Sequence, residues 1–243
     1  MSVKKLIILA AAGLAVVGAS AAMAGGPDHM AMPSAPAFEP SVYLEGHFGY
    51  AGSNWGDYNG SGVMGTAGSS AFSPSTNATG WLTAGADLGY NFTQNFALEL
   101  GWFWLPNVSG GFTSWSSTAS TNGGATVRSW FAYTAAKLSV PVIENLDLFG
   151  KIGVAYRNLS YSVPSTPAAL QNVTGDGGYW APLFGAGIQY DWNNWLIGAQ
   201  YLYLPGNNSV NYGAPAPFNN SGAPNAAPEA NLYTGFLGYK FNV

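Results

Sequence analysis

NLYTGFLGYKFNV, residues 231–243, alternates with a period of two. Tyr233, Gly235, Leu237, Tyr239, Phe241 and Val243 share one parity, and Thr234, Phe236, Gly238, Lys240 and Asn242 take the other. Strand side chains point alternately to opposite faces, so this is a strand with one greasy face and a lysine on the other. In a soluble sheet the greasy face would be buried. In a membrane barrel it would meet lipid and Lys240 would point into the lumen. The number of such strands, and what joins them, decides between the two.

Eight alternating segments occur, near 41–50, 79–90, 96–105, 127–140, 146–157, 180–190, 195–204 and 232–243. Each is close to the length of about 9 to 11 residues with which a tilted strand crosses hydrocarbon. The connections NFTQN (91–95), PVIEN (141–145) and DWNN (191–194) are short. Residues 51–78, 106–126, 158–179 and 205–230 form links far beyond ordinary hairpin loops. Long and short links alternate strictly, which is the order expected of an outer-membrane barrel with both termini in the periplasm. The long links are rich in Gly, Ser, Asn, Ala and Pro, a composition that predicts mobile segments burying little.

Composition points to lipid as the surrounding solvent. Charged residues make up 7% of the 243, aromatics 15%, and there are 33 glycines. A soluble surface carries far more charge. Lys4 and Lys5, the apolar run from Leu6 to Ala19, and Ala22-Met23-Ala24 predict a cleaved secretory signal peptide over residues 1–24. A flexible Pro/Ala-rich leader follows over 25–40, and the barrel occupies 41–243. With Lys4 and Lys5 gone, five cations face eleven acids, a net charge of −6. Nucleic acid is excluded as a partner, because phosphate contacts need clustered Lys and Arg. There is no cysteine, so disulfides, thiolate metal sites and thiol catalysis are excluded together.

Parity sorts the side chains. Leu44, Phe48, Leu88, Leu98, Leu100, Trp102, Ile152, Ile188 and Ile197 fall on the outward face, with Trp and Tyr towards the strand ends as interfacial girdles require. The inward parity holds Glu45, His47, Asp87, Glu99, Lys137, Lys151, Arg157, Gln189, Gln200 and Lys240, with many glycines between them. Closure would bring the last strand beside the first, so Lys240 is expected to approach Glu45. Eight strands leave a lumen only wide enough for side chains to fill. Isolated ions there would be costly, which favours a paired plug over a pore. The interior glycines leave some space, which keeps a narrow porin-like channel as the alternative.

The chain resembles the family of small eight-stranded outer-membrane β-barrels, of the OmpA transmembrane-domain and OmpX kind. The signal peptide carries the likeness together with LGYNFTQNFALELGW (88–102), KLSVPVIENLDLFGKIGVAYR (137–157) and the terminal GFLGYKFNV (235–243). The resemblance implies location in the outer membrane and partners in its lipid and lipopolysaccharide. It also implies contact with the barrel-insertion machinery through an assembly signal at Tyr239, Phe241 and Val243. The family usually ends on an aromatic residue, and here Phe241 stands two positions before the end. Longer members carry a periplasmic domain after the barrel, and the sequence gives no support for one here.

Some barrels resembling this one modify lipid A with a hydroxyl nucleophile and a histidine base. His47 has no serine two residues away on its own face, and His29 lies in the leader, so no catalytic residue is expected. Ligand spacing for a metal and phosphate or dinucleotide loops are missing, so no cofactor is implied. The expected function is therefore that of a non-enzymatic structural or adhesive surface barrel, with an extracellular or host ligand for its loops. Loop aromatics Trp55, Tyr58, Phe72, Phe112, Trp115, Tyr212 and Phe218 would either meet that ligand or pack the loops onto the rim.

Overall fold

The computed structural model describes residues 38–55, 70–115, 120–163, 173–210 and 225–242. The signal peptide, most of the leader, Val243, and the loop aromatics Tyr58, Tyr212 and Phe218 lie outside them. Among the described residues run eleven strands: β1 Ser41–Gly52, β2 Ser70–Thr76, β3 Gly80–Asn91, β4 Phe96–Trp115, β5 Ser120–Ile143, β6 Leu146–Val163, β7 Val173–Trp192, β8 Trp195–Leu204, β9 Asn207–Val210, β10 Asn225–Ala227 and β11 Ala230–Asn242. Eight of them, β1, β3 to β8 and β11, pair antiparallel in chain order. β11 then returns to β1, from Ser41 opposite Asn242 to Gly52 opposite Asn231. The result is the closed eight-stranded antiparallel barrel that the alternation predicts.

The three short connections are built from residues suited to tight turns. Asn145 and Asn193 take positive φ, 64° and 56°, which asparagine tolerates better than most residues. In the third turn the Thr93 hydroxyl accepts from the backbone N–H of Asn95 at 3.3 Å and of Phe96 at 3.0 Å. Each turn also fastens the neighbouring strand: the carbonyls of Asn95, Asn145 and Asn194 accept from the N–H of Ser139, Asp191 and Lys240. The periplasmic rim is thereby tied strand to strand, and the long links fall at the other end.

Those long links differ from the sequence expectation. β4, β5, β6 and β7 run for 20, 24, 18 and 20 residues, about twice what hydrocarbon requires. The pairing of β4 with β5 extends out to Trp115 opposite Ser120, and that of β6 with β7 to Val163 opposite Val173. β2 adds to the free edge of β4, which brings Phe72 opposite Phe112, and β9 pairs with β10. Much of 106–126 and 158–179 is therefore sheet rather than loose loop. Gly, Ser and Thr pair through their backbones as well as other residues do, and composition alone does not reveal it.

Burial alternates as parity predicts. Leu44, Phe48, Leu100, Trp102, Ile152, Ile197 and Leu237 are exposed around the outside, an apolar belt that only lipid would cover. The outer ends of this belt carry edge-on or tilted rings, Trp130 against Tyr156 and Tyr156 against Trp180. The periplasmic ends carry Trp195, Tyr239 and Phe241 in edge contact. Exposed Arg128 and Asp176 come two and four residues beyond Trp130 and Trp180, where charge can meet water again.

Candidate functional site: the barrel lumen

The register fixes which inward groups meet. Glu45 stands opposite Asp87 across β1 and β3, and Lys137 opposite Lys151 across β5 and β6. Like charges side by side repel, so each pair needs the other. Glu99 of β4 joins them, meeting Lys137 at 3.2 Å and Lys151 through its other oxygen. Lys151 also lies 3.1 Å from Asp87, and Lys137 3.6 Å from Glu45. His47 Nε2 sits 3.1 Å from Asp87 and 3.5 Å from Glu45, while its Nδ1 faces the Gln200 amide at 3.1 Å.

Aromatic hydroxyls complete the cluster. Tyr43 donates to Glu99 at 2.6 Å and Tyr133 to Asp87 at 2.7 Å. The Lys137 ammonium donates to Gln189 at 2.9 Å and lies over the rings of Tyr43 and Phe149. All of these groups are buried. Low surrounding polarity strengthens every attraction among them and makes each indispensable to its partner.

Five interior glycines have a neighbouring ring where a side chain would stand. A side-chain carbon on Gly85, Gly89, Gly101, Gly187 or Gly198 would strike the ring of Phe103, Tyr43, Tyr133, Phe149 or Phe236, in that order. At these five positions the space expected beside glycine is taken by the neighbouring ring.

Two of the ten inward groups make no direct contact with the carboxylates of the cluster, although Lys240 is linked to it through Asp191 and Gln189. Lys240 stands opposite Tyr43, not Glu45, whose partner position is Gly238. Its ammonium bonds Asp191 at 2.8 Å at the periplasmic mouth, with both side chains 26% exposed. The expected Lys240–Glu45 approach is thus replaced by a rim contact, because the register is two residues away from what that contact needs. Arg157 belongs to the other end of the lumen. There it donates to the carbonyl of Pro228 and to Tyr179 at 3.4 Å.

Above the ion cluster and around Arg157 lies an apolar layer that sorting by charge overlooked. Phe103, Phe131, Leu159, Leu183, Leu202, Leu204 and Leu232 are fully buried and form one apolar cluster with Trp55. Phe103 and Phe131 stack at 5.5 Å. The signal was in the sequence as inward-parity Phe and Leu on β4 to β8 and β11. Trp55, 2% exposed, packs down into this layer rather than facing outward.

A family model of the OmpA-like transmembrane domain matches residues 49–219. The chain belongs to that family. Outer membrane protein A of Yersinia pseudotuberculosis is 29% identical over 125 residues, covering 51% of this chain and 33% of that protein. Outer membrane protein A of Serratia marcescens is 26% identical over 151 residues, covering 62% and 40%. The chain thus spans between a third and two fifths of the length of these relatives. Among solved structures, the outer membrane protein OprG from Pseudomonas aeruginosa has a TM-score of 0.45 at 13% identity, covering 84% of this chain and 98% of that one.

This OmpA-like barrel is therefore an outer-membrane protein, and the exposed apolar belt is its lipid face. Its lumen brings together Glu45, His47 and Asp87, whose ligand atoms lie within 4.8 Å of one another. Pairing across strands gathers what the linear spacing did not suggest. Lys151 and Lys137 already hold the carboxylates of that group, so a cation there would have to displace two ammonium ions. His47 meets carboxylates on one nitrogen and an amide on the other, with no hydroxyl bonded to it among the described residues.

Proposed function

We propose that this OmpA-like barrel is a non-conducting, non-enzymatic scaffold of the outer membrane, with a plugged, salt-bridged lumen and its working surface on the extracellular side. One observation carries the reading: the lumen is filled at successive levels by the ion cluster and by the apolar layer above it. An ion crossing the barrel would have to part five ion-paired or hydrogen-bonded carboxylate and ammonium groups. It would then lose its hydration among Phe103, Phe131, Leu183 and Leu202, at a desolvation cost no thermal fluctuation readily supplies.

The strands that outrun the membrane support the second half of the reading. A barrel that served only to span lipid would not need paired strands beyond its outer girdle. Such extensions form a rigid platform, and recognition on a rigid scaffold commonly resides in the connecting segments it presents. A structural or adhesive role at the cell surface follows from that arrangement.

The test is single-channel recording on mature protein refolded in detergent, shown by heat-dependent gel mobility to be folded, and inserted in a planar bilayer. Silence is expected. Steady discrete conductance that changes in Lys151→Met would sink the plug and make this a narrow channel.

A further inference from the structure

Each lysine of the lumen has a carboxylate within ion-pair distance, whereas Arg157 has none among the described residues. Its side chain is 1% exposed, and its neighbours are neutral oxygens. Nη1 donates to the Pro228 carbonyl and towards Tyr179, while Nη2 reaches only Ser129 Oγ at 3.5 Å. Nε–H is buried without an acceptor. Glu229 is the acid nearest in sequence to Pro228, and its carboxylate is engaged by Tyr203 at 3.1 Å and Asn231 at 3.3 Å.

A guanidinium taken out of water without a counter-charge is costly, and it has five N–H groups to satisfy. The unsatisfied ones are not scattered. Nε and Nη2 form the side-on edge with which arginine grips carboxylate, sulfate or phosphate through two parallel bonds. That edge lacks an acceptor at Nε and has only the long Ser129 contact at Nη2, while the opposite edge is fixed by the Pro228 carbonyl and Tyr179.

The surroundings decide where a ligand would come from. On the periplasmic side the apolar layer of Phe103, Phe131, Leu183 and Leu202 bars the way. On the extracellular side the covering is a strap of backbone, Pro205–Gly206 and Ala227–Glu229. Three side chains hold it through its carbonyls: Tyr179 to Pro205 at 3.0 Å, Ser53 to Glu229 at 3.0 Å, and Arg157 to Pro228. Lipid phosphates are excluded, since Arg157 has the inward parity of β6 and is buried within the barrel.

We propose that Arg157 is a recognition site for one oxyanion group, a carboxylate or a sulfate, entering from the extracellular side and held on the Nε/Nη2 edge. This goes beyond the scaffold reading and does not depend on whether the lumen conducts.

The experiment is isothermal titration of the refolded, detergent-solubilised barrel with sodium acetate and sodium sulfate at constant ionic strength, with chloride as the reference anion. Glucuronate and glucose 6-sulfate run beside the free ions. A gain from the sugar assigns the group to a glycan, and equal affinity assigns it to a free anion. One saturable site is expected, weakened about tenfold or more in Arg157→Lys, which keeps the charge but loses the fork, and absent in Arg157→Gln. Arg128 and Arg157 are the chain's two arginines. The Nε–H NMR resonance of Arg157 should therefore be assignable and shift on titration, a readout that needs no variant to fold. No saturable binding by the wild type, an unmoved Arg157 resonance, or equal binding by Arg157→Gln would overturn the proposal, and conductance measurements would be unaffected by that result.

Discussion

Replacing Lys151 by methionine removes the cation that joins the two halves of the lumen cluster while nearly conserving volume. At the 3.1 Å separation from Asp87, an effective dielectric near 20 gives an attraction of about 5 kcal/mol, with a second of similar size to Glu99. Against these stands the desolvation of a fully buried ammonium, several kcal/mol. The variant, however, regains only that one term, because Asp87 and Glu99 stay buried and lose their partner. Breaking a buried pair from one side costs about 3 to 5 kcal/mol, and that is the expected loss for Lys151→Met. The assay is urea-dependent equilibrium unfolding in lipid vesicles, followed by tryptophan fluorescence and by heat-dependent gel mobility. Glu99→Gln alone should be destabilising for the same reason. The double variant should lose less than the sum of the singles, with a coupling of about 1 to 3 kcal/mol. If Lys151→Met costs under about 1 kcal/mol, or the two changes add within about 0.5 kcal/mol, the cluster is not a mutually dependent network.

Two further outcomes follow from position along the same barrel. Lys240→Ala breaks an ion pair whose partners are each 26% exposed to water at the mouth, so it should cost under about 1 kcal/mol in the same unfolding assay, in contrast to Lys151. Ile152 is 59% exposed towards lipid midway along β6. Ile152→Arg should destabilise the barrel by about 2 to 4 kcal/mol, whereas Thr126→Arg, beyond the outer girdle beside Arg128, should be close to neutral.

Strand number, closure, orientation and the outward face were legible in the sequence, because each depends on parity and on loop order, which a single chain displays. Register was not. Parity places Lys240 inward, but a shift of two residues preserves parity while moving a charge from the middle of the lumen to its rim. That is why Lys240 meets Asp191 and not Glu45. The lengths of β4 to β7 were missed for a different reason. Outside lipid the face of a strand need not be apolar, so the alternation fades although backbone pairing continues, as Gly111 opposite Gly124 illustrates.

The lumen's division into an ionic half and an apolar half has a physical origin in the two solvents around the barrel. Along β4, β5 and β6, the charged residues Glu99, Lys137 and Lys151 lie on the periplasmic side of the outer girdle residues Trp104, Trp130 and Tyr156. There the barrel is surrounded by hydrocarbon, and polar bonds supply much of the cohesion, with Phe103, Phe131, Leu183 and Leu202 filling the level just below the girdle. Beyond the girdle, Leu105, Val108, Val127 and Leu159 turn inward where the outside is water, and burying apolar surface becomes favourable again. Arg157 stands two residues short of Leu159 in that outer, water-driven core. Among the described residues it has no carboxylate within ion-pair distance, which makes its under-bonded guanidinium edge the place where a ligand from outside the cell would complete the structure.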